Sequence, residues 1–282
     1  MASATADVRS NSEDRPASSA ASDVPAIEIV GVDRVFTRGG VAFTAIRDVN
    51  LSVAQGEFLS VVGPSGCGKS TMLNLLAGLA KPDAGTVRTF GQPVKGVNKD
   101  VGFIFQRDAL LPWRTALQNV ALPLRYRGQT KAAAQDVARE WLSRVGLAKF
   151  ADSYPHQLSG GMRKRVAIAA TLAYQPRIIL MDEPFSALDV QTRTLMEDDL
   201  LKLWATYRPA VLFITHDLEE AVGLSDRVVV MSASPGHVVG DHPVPLDRPR
   251  DLLEIKFDPT FTQTHERIWE QLRTEVVSAR VD

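Results

Sequence analysis

The stretch Gly63-Pro64-Ser65-Gly66-Cys67-Gly68-Lys69-Ser70-Thr71 constrains this chain more than any other. It follows Glu57-Phe58-Leu59-Ser60-Val61-Val62 and runs into Met72-Leu73-Asn74-Leu75-Leu76, so its context is strand, glycine-rich turn, amphipathic helix. Gly63, Gly66 and Gly68 are expected to take left-handed angles and to turn backbone N–H groups inward around an anion. A helix starting near Lys69 adds its unsatisfied amides and the positive end of its dipole. Lys69 is expected to reach the β- and γ-phosphates of a nucleoside triphosphate, and the Ser70 hydroxyl to be a direct Mg²⁺ ligand.

With 282 residues, 45% hydrophobic and 23% charged, the chain has the material for a large core. A formal net charge of -1 argues against bulk affinity for nucleic acid. No run approaches the ~18 apolar residues that would span a bilayer. Residues 1–25, rich in Ala, Ser and Asp and poor in large apolar side chains, are expected to be a disordered tail. Asp7, Glu13 and Asp14 in that tail, and the lack of an apolar central segment, argue against a secretory signal. The single cysteine, Cys67, excludes an intrachain disulfide and fits a reducing compartment. It lies inside the phosphate loop, where a small residue suits a tight turn; an exposed thiol there would be alkylated unless nucleotide shielded it.

Along the chain, 27–35 reads as a strand that ends near Phe36, with a turn at Thr37-Arg38-Gly39-Gly40. Phe36 suits either stacking on a flat base or a core position at a strand end. A short strand pair is expected at 41–46 and 49–53, strands at 86–90 and 101–105, the latter buried, and helices at 115–126 and 131–145. Gln106 follows the 101–105 strand, at the sheet edge where ligands gather in open α/β folds. Leu110, Leu111, Pro112 and Trp113 form an apolar cluster that either packs within the helical part or receives another protein. Ser159 is an expected N-cap, and Ser159-Gly160-Gly161 opens a helix at 163–174, a second anion-seeking terminus. Ile178-Ile179-Leu180-Met181 is a buried parallel strand ending in Asp182 and Glu183. One of these acids suits Mg²⁺ held through water, the other an attacking water. A helix is expected from Ser186 to Tyr207, then a strand at 210–214 ending in Thr215-His216, where a γ-phosphate contact is available. Strands at 227–231 and 238–242, a boundary marked by Gly236 and the 243–249 stretch, and an amphipathic helix at 259–280 complete the reading.

In this order the pieces resemble the nucleotide-binding subunit of ATP-binding cassette (ABC) transporters. The resemblance implies an α/β fold: a P-loop NTPase (RecA-like) core of the ABC ATPase type, with an antiparallel β subdomain and an inserted helical subdomain. The implied domains are a tail at 1–25, an ATP-binding domain at 26–245 with its helical subdomain at about 107–157, and a C-terminal extension at 246–282. Gly63 to Thr71 looks like the Walker A motif, Ile178 to Glu183 the Walker B, Leu158 to Met162 the signature, Ser186 to Asp189 the D-loop, Gln106 the Q-loop and His216 the switch histidine. By that likeness ATP and Mg²⁺ are the cofactors, and Phe36 stacks on adenine. The phosphates are bound by Gly63, Ser65, Gly66, Cys67, Gly68, Lys69, Ser70 and Thr71, and the metal by Ser70, Gln106 and Asp182. Glu183, His216 and Gln106 carry the catalysis, and Ser159, Gly160 and Gly161 grip the γ-phosphate of a second copy in a head-to-tail dimer.

Two positions depart from many relatives: Lys164 stands where Gln is usual, and Ala170 where Arg is usual. Both are expected to affect only packing and surface contacts. The runs Leu110-Leu111-Pro112-Trp113 and Met231-Ser232-Ala233-Ser234-Pro235-Gly236 look like the nitrate/sulfonate/taurine importer branch. That implies a permease partner, indirectly a periplasmic solute-binding protein, and a peripheral place on the cytoplasmic face of the inner membrane, with no nucleic acid. The alternatives are an exporter's ATPase or a non-transport cassette ATPase acting on ribosomes or DNA; co-purification with a multi-spanning permease separates them.

Overall fold

The computed structural model describes residues 24–278. Of the expected tail at 1–25, residues 1–23 lie outside them, whereas Val24 is tied in, its carbonyl accepting from Gln55 Nε2 at 3.0 Å. The chain begins with β1 (Ile27–Arg38), β2 (Val41–Val53), β3 (Phe58–Val62) and α1 (Lys69–Leu76). Next come β4 (Ala84–Thr89), β5 (Gln92–Pro93), β6 (Val101–Ile104), and the helices α2 (Ala116–Tyr126), α3 (Lys131–Arg144) and α4 (Gly160–Leu172). Then β7 (Ile178–Asp182), α5 (Val190–Tyr207), β8 (Ala210–Ile214) and α6 (Leu218–Leu224) alternate. The chain closes with β9 (Arg227–Met231), β10 (Val238–Pro243) and α7 (Pro259–Ser278).

These strands form two sheets: an antiparallel one in the order β2-β1-β4-β5, and a six-stranded one in the order β10-β9-β3-β8-β7-β6. The inner strands of the second sheet are parallel, and β3 and β8 are buried along their whole length, the signature of strands covered on both faces. Side-chain alternation divides the cover. Leu59 and Val61, Ile178 and Leu180, and Leu212 and Ile214 face α1 and the antiparallel sheet. Phe58, Ile179, Met181, Val211 and Phe213 face the helical layer with Trp141, Phe185 and Trp204.

Several expectations change. The 41–46 and 49–53 pieces are one strand, because Asp48 takes φ 44° and donates its N–H to Asp33 Oδ1 at 2.7 Å, so a bulge absorbs the break. The 101–105 strand is only half-buried: it is the sheet edge, with Gly102 and Ile104 inside and Phe103 stacked on an exposed Phe105 at 4.1 Å. The helix expected from Ser186 starts at Val190 instead, since Asp189 caps it by accepting from the Thr192 N–H at 3.0 Å. Helix α6, capped by Asp217, was not anticipated.

Residues Phe261, Ile268 and Leu272 of α7 pack on Val222, Val228 and Val230. The strap between β10 and α7 is held by two arginines. Arg248 bonds Asp226 at 2.7 Å and lies over the Trp204 ring at 4.2 Å. Arg250, buried, donates to the carbonyls of Gly223 at 3.0 Å, Ser225 at 2.8 Å and Leu246 at 2.9 Å. It thereby satisfies the carboxyl end of α6, and its burial lowers its pKa to about 10. Replacing Arg250→Ala leaves those carbonyls without donors and should cost about 3 kcal/mol. Urea titration should show a lower midpoint at unchanged slope.

Candidate functional site

Four strand ends of the six-stranded sheet converge: β3 runs into the phosphate loop, β7 into Asp182 and Glu183, β8 into Thr215 and His216, and β6 into Gln106. The loop is shaped by what lies beneath it. A Cβ on Gly68, which has φ 90°, would sit 2.2 Å from Ile46 Cγ2, and one on Gly63 would sit 2.8 Å from the Met231 carbonyl. Gly63 therefore serves close approach and not a left-handed angle, contrary to the expectation; of the three glycines, Gly66 and Gly68 have positive φ. Gly66 has open space on its Cβ side, so the loop is packed below and free above.

Lys69 is buried and its ammonium donates to the Gly63 and Pro64 carbonyls at 2.8 and 2.9 Å, which holds it across the loop. Ser65 and Ser70 are exposed on the open side, and Thr71 is half-buried. Cys67 is only 1% exposed, and burial raises its thiol pKa against the pull of Lys69. The condition for its alkylation, an exposed thiol, is thus not met. Its N–H bonds the Pro64 carbonyl at 3.4 Å, closing the turn.

Ser70 Oγ donates to Asp182 Oδ1 at 3.2 Å. Burial raises the Asp182 pKa, with the neighbouring Glu183 charge adding to it and Ser70 and Lys69 opposing it. Among the described residues no group of three or more His, Cys, Asp or Glu forms a metal cage. Two hard oxygens, from Ser70 and Asp182, beside an open phosphate loop fit Mg²⁺, which takes few protein ligands and completes its shell with water and phosphate.

Glu183 adopts φ 42°, an uncommon angle for a side chain of this kind, held by its N–H donating to the Ile214 carbonyl at 2.9 Å. Its Oε2 lies 3.0 Å from His216 Nδ1. Ser186 Oγ donates to the Glu183 carbonyl at 3.0 Å and accepts from Gln106 Nε2 at 3.4 Å. Gln106, Ser186, Glu183 and His216 thus form one chain across the strand ends. Ser186, the first residue of the D-loop stretch, carries a link to Gln106 that the sequence pattern does not show.

The signature residues lie elsewhere. Ser159 caps α4, its Oγ accepting from the Met162 N–H at 3.3 Å, as expected. A Cβ on Gly160 would lie 3.9 Å from Leu188, and one on Gly161 2.9 Å from Thr192, so this turn sits on the entry to α5. Among the described residues, Ser159, Gly160 and Gly161 share no hydrogen bond with the phosphate loop. Phe36 is 41% exposed and pairs with Phe43 across β1 and β2, which rules out the core alternative. Arg34 lies over its ring at 4.8 Å. In the apolar cluster after Gln106, Leu110 packs on the core while Trp113 is 70% exposed, so the packing alternative holds for Leu110 and not for Trp113.

Two further features carry no motif. Gly236 donates its N–H to the Ala45 carbonyl and accepts from Arg47, and a Cβ on it would lie 1.8 Å from the Cys67 carbonyl. In the sequence Gly236 reads as a boundary and as the end of the Met231–Gly236 run, neither of which points to the phosphate loop. Beside His216, a cavity of about 560 Å³ between α5, α6 and α7 exposes the acids Glu197 and Glu220 on its wall. Both are buried, 7% and 6% exposed. Thr215 Oγ1 donates to Glu220 at 2.5 Å, and Arg193 bonds Asp217 at 3.0 Å. Burial first, then the charges of Glu220 and Asp217, push Glu197 up to about 8.

The profile of the ABC transporter family matches residues 46–186. The nitrate import ATP-binding protein of Synechocystis sp. is 42% identical over 88% of this chain and 95% of its own length. The taurine import ATP-binding protein of Chromobacterium violaceum is 45% identical over 84% of this chain and 92% of its own. A dimeric ATP-binding cassette, MJ0796, in a post-hydrolysis state bound to ADP and Pi, superposes with a TM-score of 0.70 at 35% identity, covering 78% of this chain and all of its own.

Two outcomes follow from this geometry. Gly236→Ala must push on the Cys67 carbonyl and so disturb the phosphate loop; calorimetry should show ATP affinity weakened about tenfold or more, against an unchanged far-ultraviolet circular dichroism spectrum. Between the ordinary carboxyl value of 4.5 and about 8, folded Glu197 keeps a proton that the unfolded chain has released. Stability from this group is therefore full at the acid end and falls as pH rises through 8. Glu197→Gln should flatten that fall in melting temperature between pH 6 and about 8.5.

Proposed function

The chain belongs to the ABC transporter family, and on that premise we propose that it is the ATP-hydrolysing motor subunit of an importer, acting as a head-to-tail dimer on a separate permease. The observation that carries this reading is the separation of the two anion-binding turns: a phosphate loop beside the Glu183–His216 pair, and a signature turn that, among the described residues, shares no hydrogen bond with that loop. A second copy related by a two-fold axis supplies the missing half of each site.

In that dimer the amides of Ser65, Gly66, Cys67 and Gly68, with Gly63 beneath, cradle the phosphates, and Lys69 swings from its carbonyls to the β- and γ-phosphates. Thr71 continues the amide lining, and Phe36 stacks on the adenine. Ser70 and Asp182, with Gln106 on the water side, would hold Mg²⁺, which when bound would supply positive charge against the phosphates. Glu183 orients a water and takes its proton as the water oxygen bonds the γ-phosphorus and the bond to the β–γ bridging oxygen breaks, leaving ADP and phosphate. His216 fixes the Glu183 carboxylate and reaches the γ-phosphate. Ser159, Gly160 and Gly161 bind the γ-phosphate held by the other copy, so its loss loosens the pair.

The helical segment at about 107–157, with Trp113 exposed on it, receives the permease, and the 26–245 region forms the ATP-binding domain. No helix among the described residues is long and apolar enough to cross a membrane, which suits a peripheral subunit on the cytoplasmic face. A periplasmic solute-binding protein delivers the solute to that permease. The nitrate and taurine relatives favour a small oxyanion-bearing solute.

Glu183→Gln should leave ATP binding intact, slow steady-state hydrolysis by about 10²-fold or more and accumulate an ATP-bound dimer in sedimentation analysis. Near-normal turnover in that variant, or full activity per subunit in protein shown to stay monomeric, would overturn the reading.

A further inference from the structure

Lys164 was expected to matter only for packing and surface contacts, yet it is 2% exposed, in the second turn of α4. Its ammonium has three N–H donors, and each finds an oxygen on the segment that follows β6. It donates to the carbonyls of Phe105 at 3.1 Å and Gln106 at 3.0 Å and pairs with Asp108 Oδ1 at 3.1 Å. The second oxygen of Asp108 accepts from Arg163 Nε at 3.2 Å, and Arg163 also donates to the Leu158 carbonyl at 2.8 Å. The contacts therefore bracket the signature, gripping Leu158 at its start and Arg163 and Lys164 just after its end. Burying an ammonium is tolerated only when its donors are filled, so this cation can leave its oxygens only at a large cost. A glutamine in its place has two donors for the two carbonyls but neither a third donor nor a charge for Asp108.

We infer that Lys164 is a positioning residue that locks the Gln106 turn to the start of α4, so that Gln106 and the signature residues Ser159, Gly160 and Gly161 shift as one rigid piece. The inference rests on the proposed roles of Gln106 at the nucleotide and of the signature at the partner copy's phosphate loop. The backbone of Gln106 is tied to α4 while its side chain reaches Ser186. Nucleotide bound in one half of the site then sets the angle at which the same copy offers its signature to the other. Loss of the lock uncouples the two without touching a phosphate ligand.

The test uses the full chain carrying Glu183→Gln, with Lys164→Met, Lys164→Arg or Asp108→Asn added. Calorimetry gives ATP affinity, and sedimentation equilibrium gives the dimer dissociation constant with and without ATP. The expected result for Lys164→Met is ATP affinity within about twofold of the parent but ATP-linked dimerisation weakened about tenfold. Lys164→Arg, which keeps the charge and several donors, should restore most of it. Asp108→Asn, which keeps both carbonyl contacts and so decides the matter if Lys164→Met does not fold, should fall between. Dimerisation at parental strength in Asp108→Asn and Lys164→Met, or equal losses in ATP affinity and dimerisation, would overturn the proposal. A parent that fails to dimerise with ATP would instead sink the dimer reading on which it stands.

Discussion

The architecture depends on a close backbone approach beneath the phosphate loop. The Ala45 carbonyl and the Arg47 N–H, from a strand of the antiparallel sheet, bond the N–H and carbonyl of Gly236, from the connection after β9. Gly236 in turn lies against the Cys67 carbonyl, and Ile46 against Gly68. Two sheets and the loop thus meet at backbone distance, where no side chain fits. The loop's amides are pre-set by this support, which is what makes an anion site of it: fixed dipoles need no reorganisation when charge arrives.

Above that support, the chemistry is arranged along the ends of parallel strands. Gln106, Ser186, Glu183 and His216 are far apart in sequence, and the order β8-β7-β6 brings them into one hydrogen-bonded line. Glu183 is held at a positive φ by a backbone bond to the neighbouring strand. Strain of about 1–3 kcal/mol at such a residue persists only where its surroundings over-determine it, here the strand bond on one side and Ser186 on the other. The same strand ends abut the buried acid Glu220 through Thr215, which donates to it and accepts from the Asp217 N–H. Glu220 and Glu197 lie in the joint between α5 and α6, on the wall of the cavity that His216 also lines.

The helical layer adds a different kind of connection. Apolar packing of Trp141, Val166 and Leu172 seats α4 against the sheet, but its register relative to the Gln106 segment is set by charge, through Lys164, Arg163 and Asp108. Apolar contacts tolerate sliding far better than a buried ammonium with three fixed acceptors does. At the other end, Arg248 and Arg250 strap α7 to α6 by filling carbonyls that the helix leaves open.

Local pattern sufficed for the phosphate loop, the buried strands ending in Asp182 and His216, the capped start of α4 and the family they point to, because each depends on residues adjacent in the chain. Apolar runs, glycine spacing and N-cap chemistry are short-range physics. Boundaries shifted where neighbours overruled propensity, as at Asp48, where Asp33 anchors a bulge, and at Asp189, whose cap starts α5 downstream of Ser186. The contact of Gly236 with the phosphate loop, the link from Ser186 to Gln106, the closeness of Glu197 and Glu220 to one cavity and the burial of Lys164 had no legible signal, since each depends on partners distant in the chain. Sequence alone decided which groups are available to bind phosphate and move a proton. Only the tertiary structure decided which of them meet, because burial and long-range pairing, not residue type, determine whether a lysine is a surface charge or a lock.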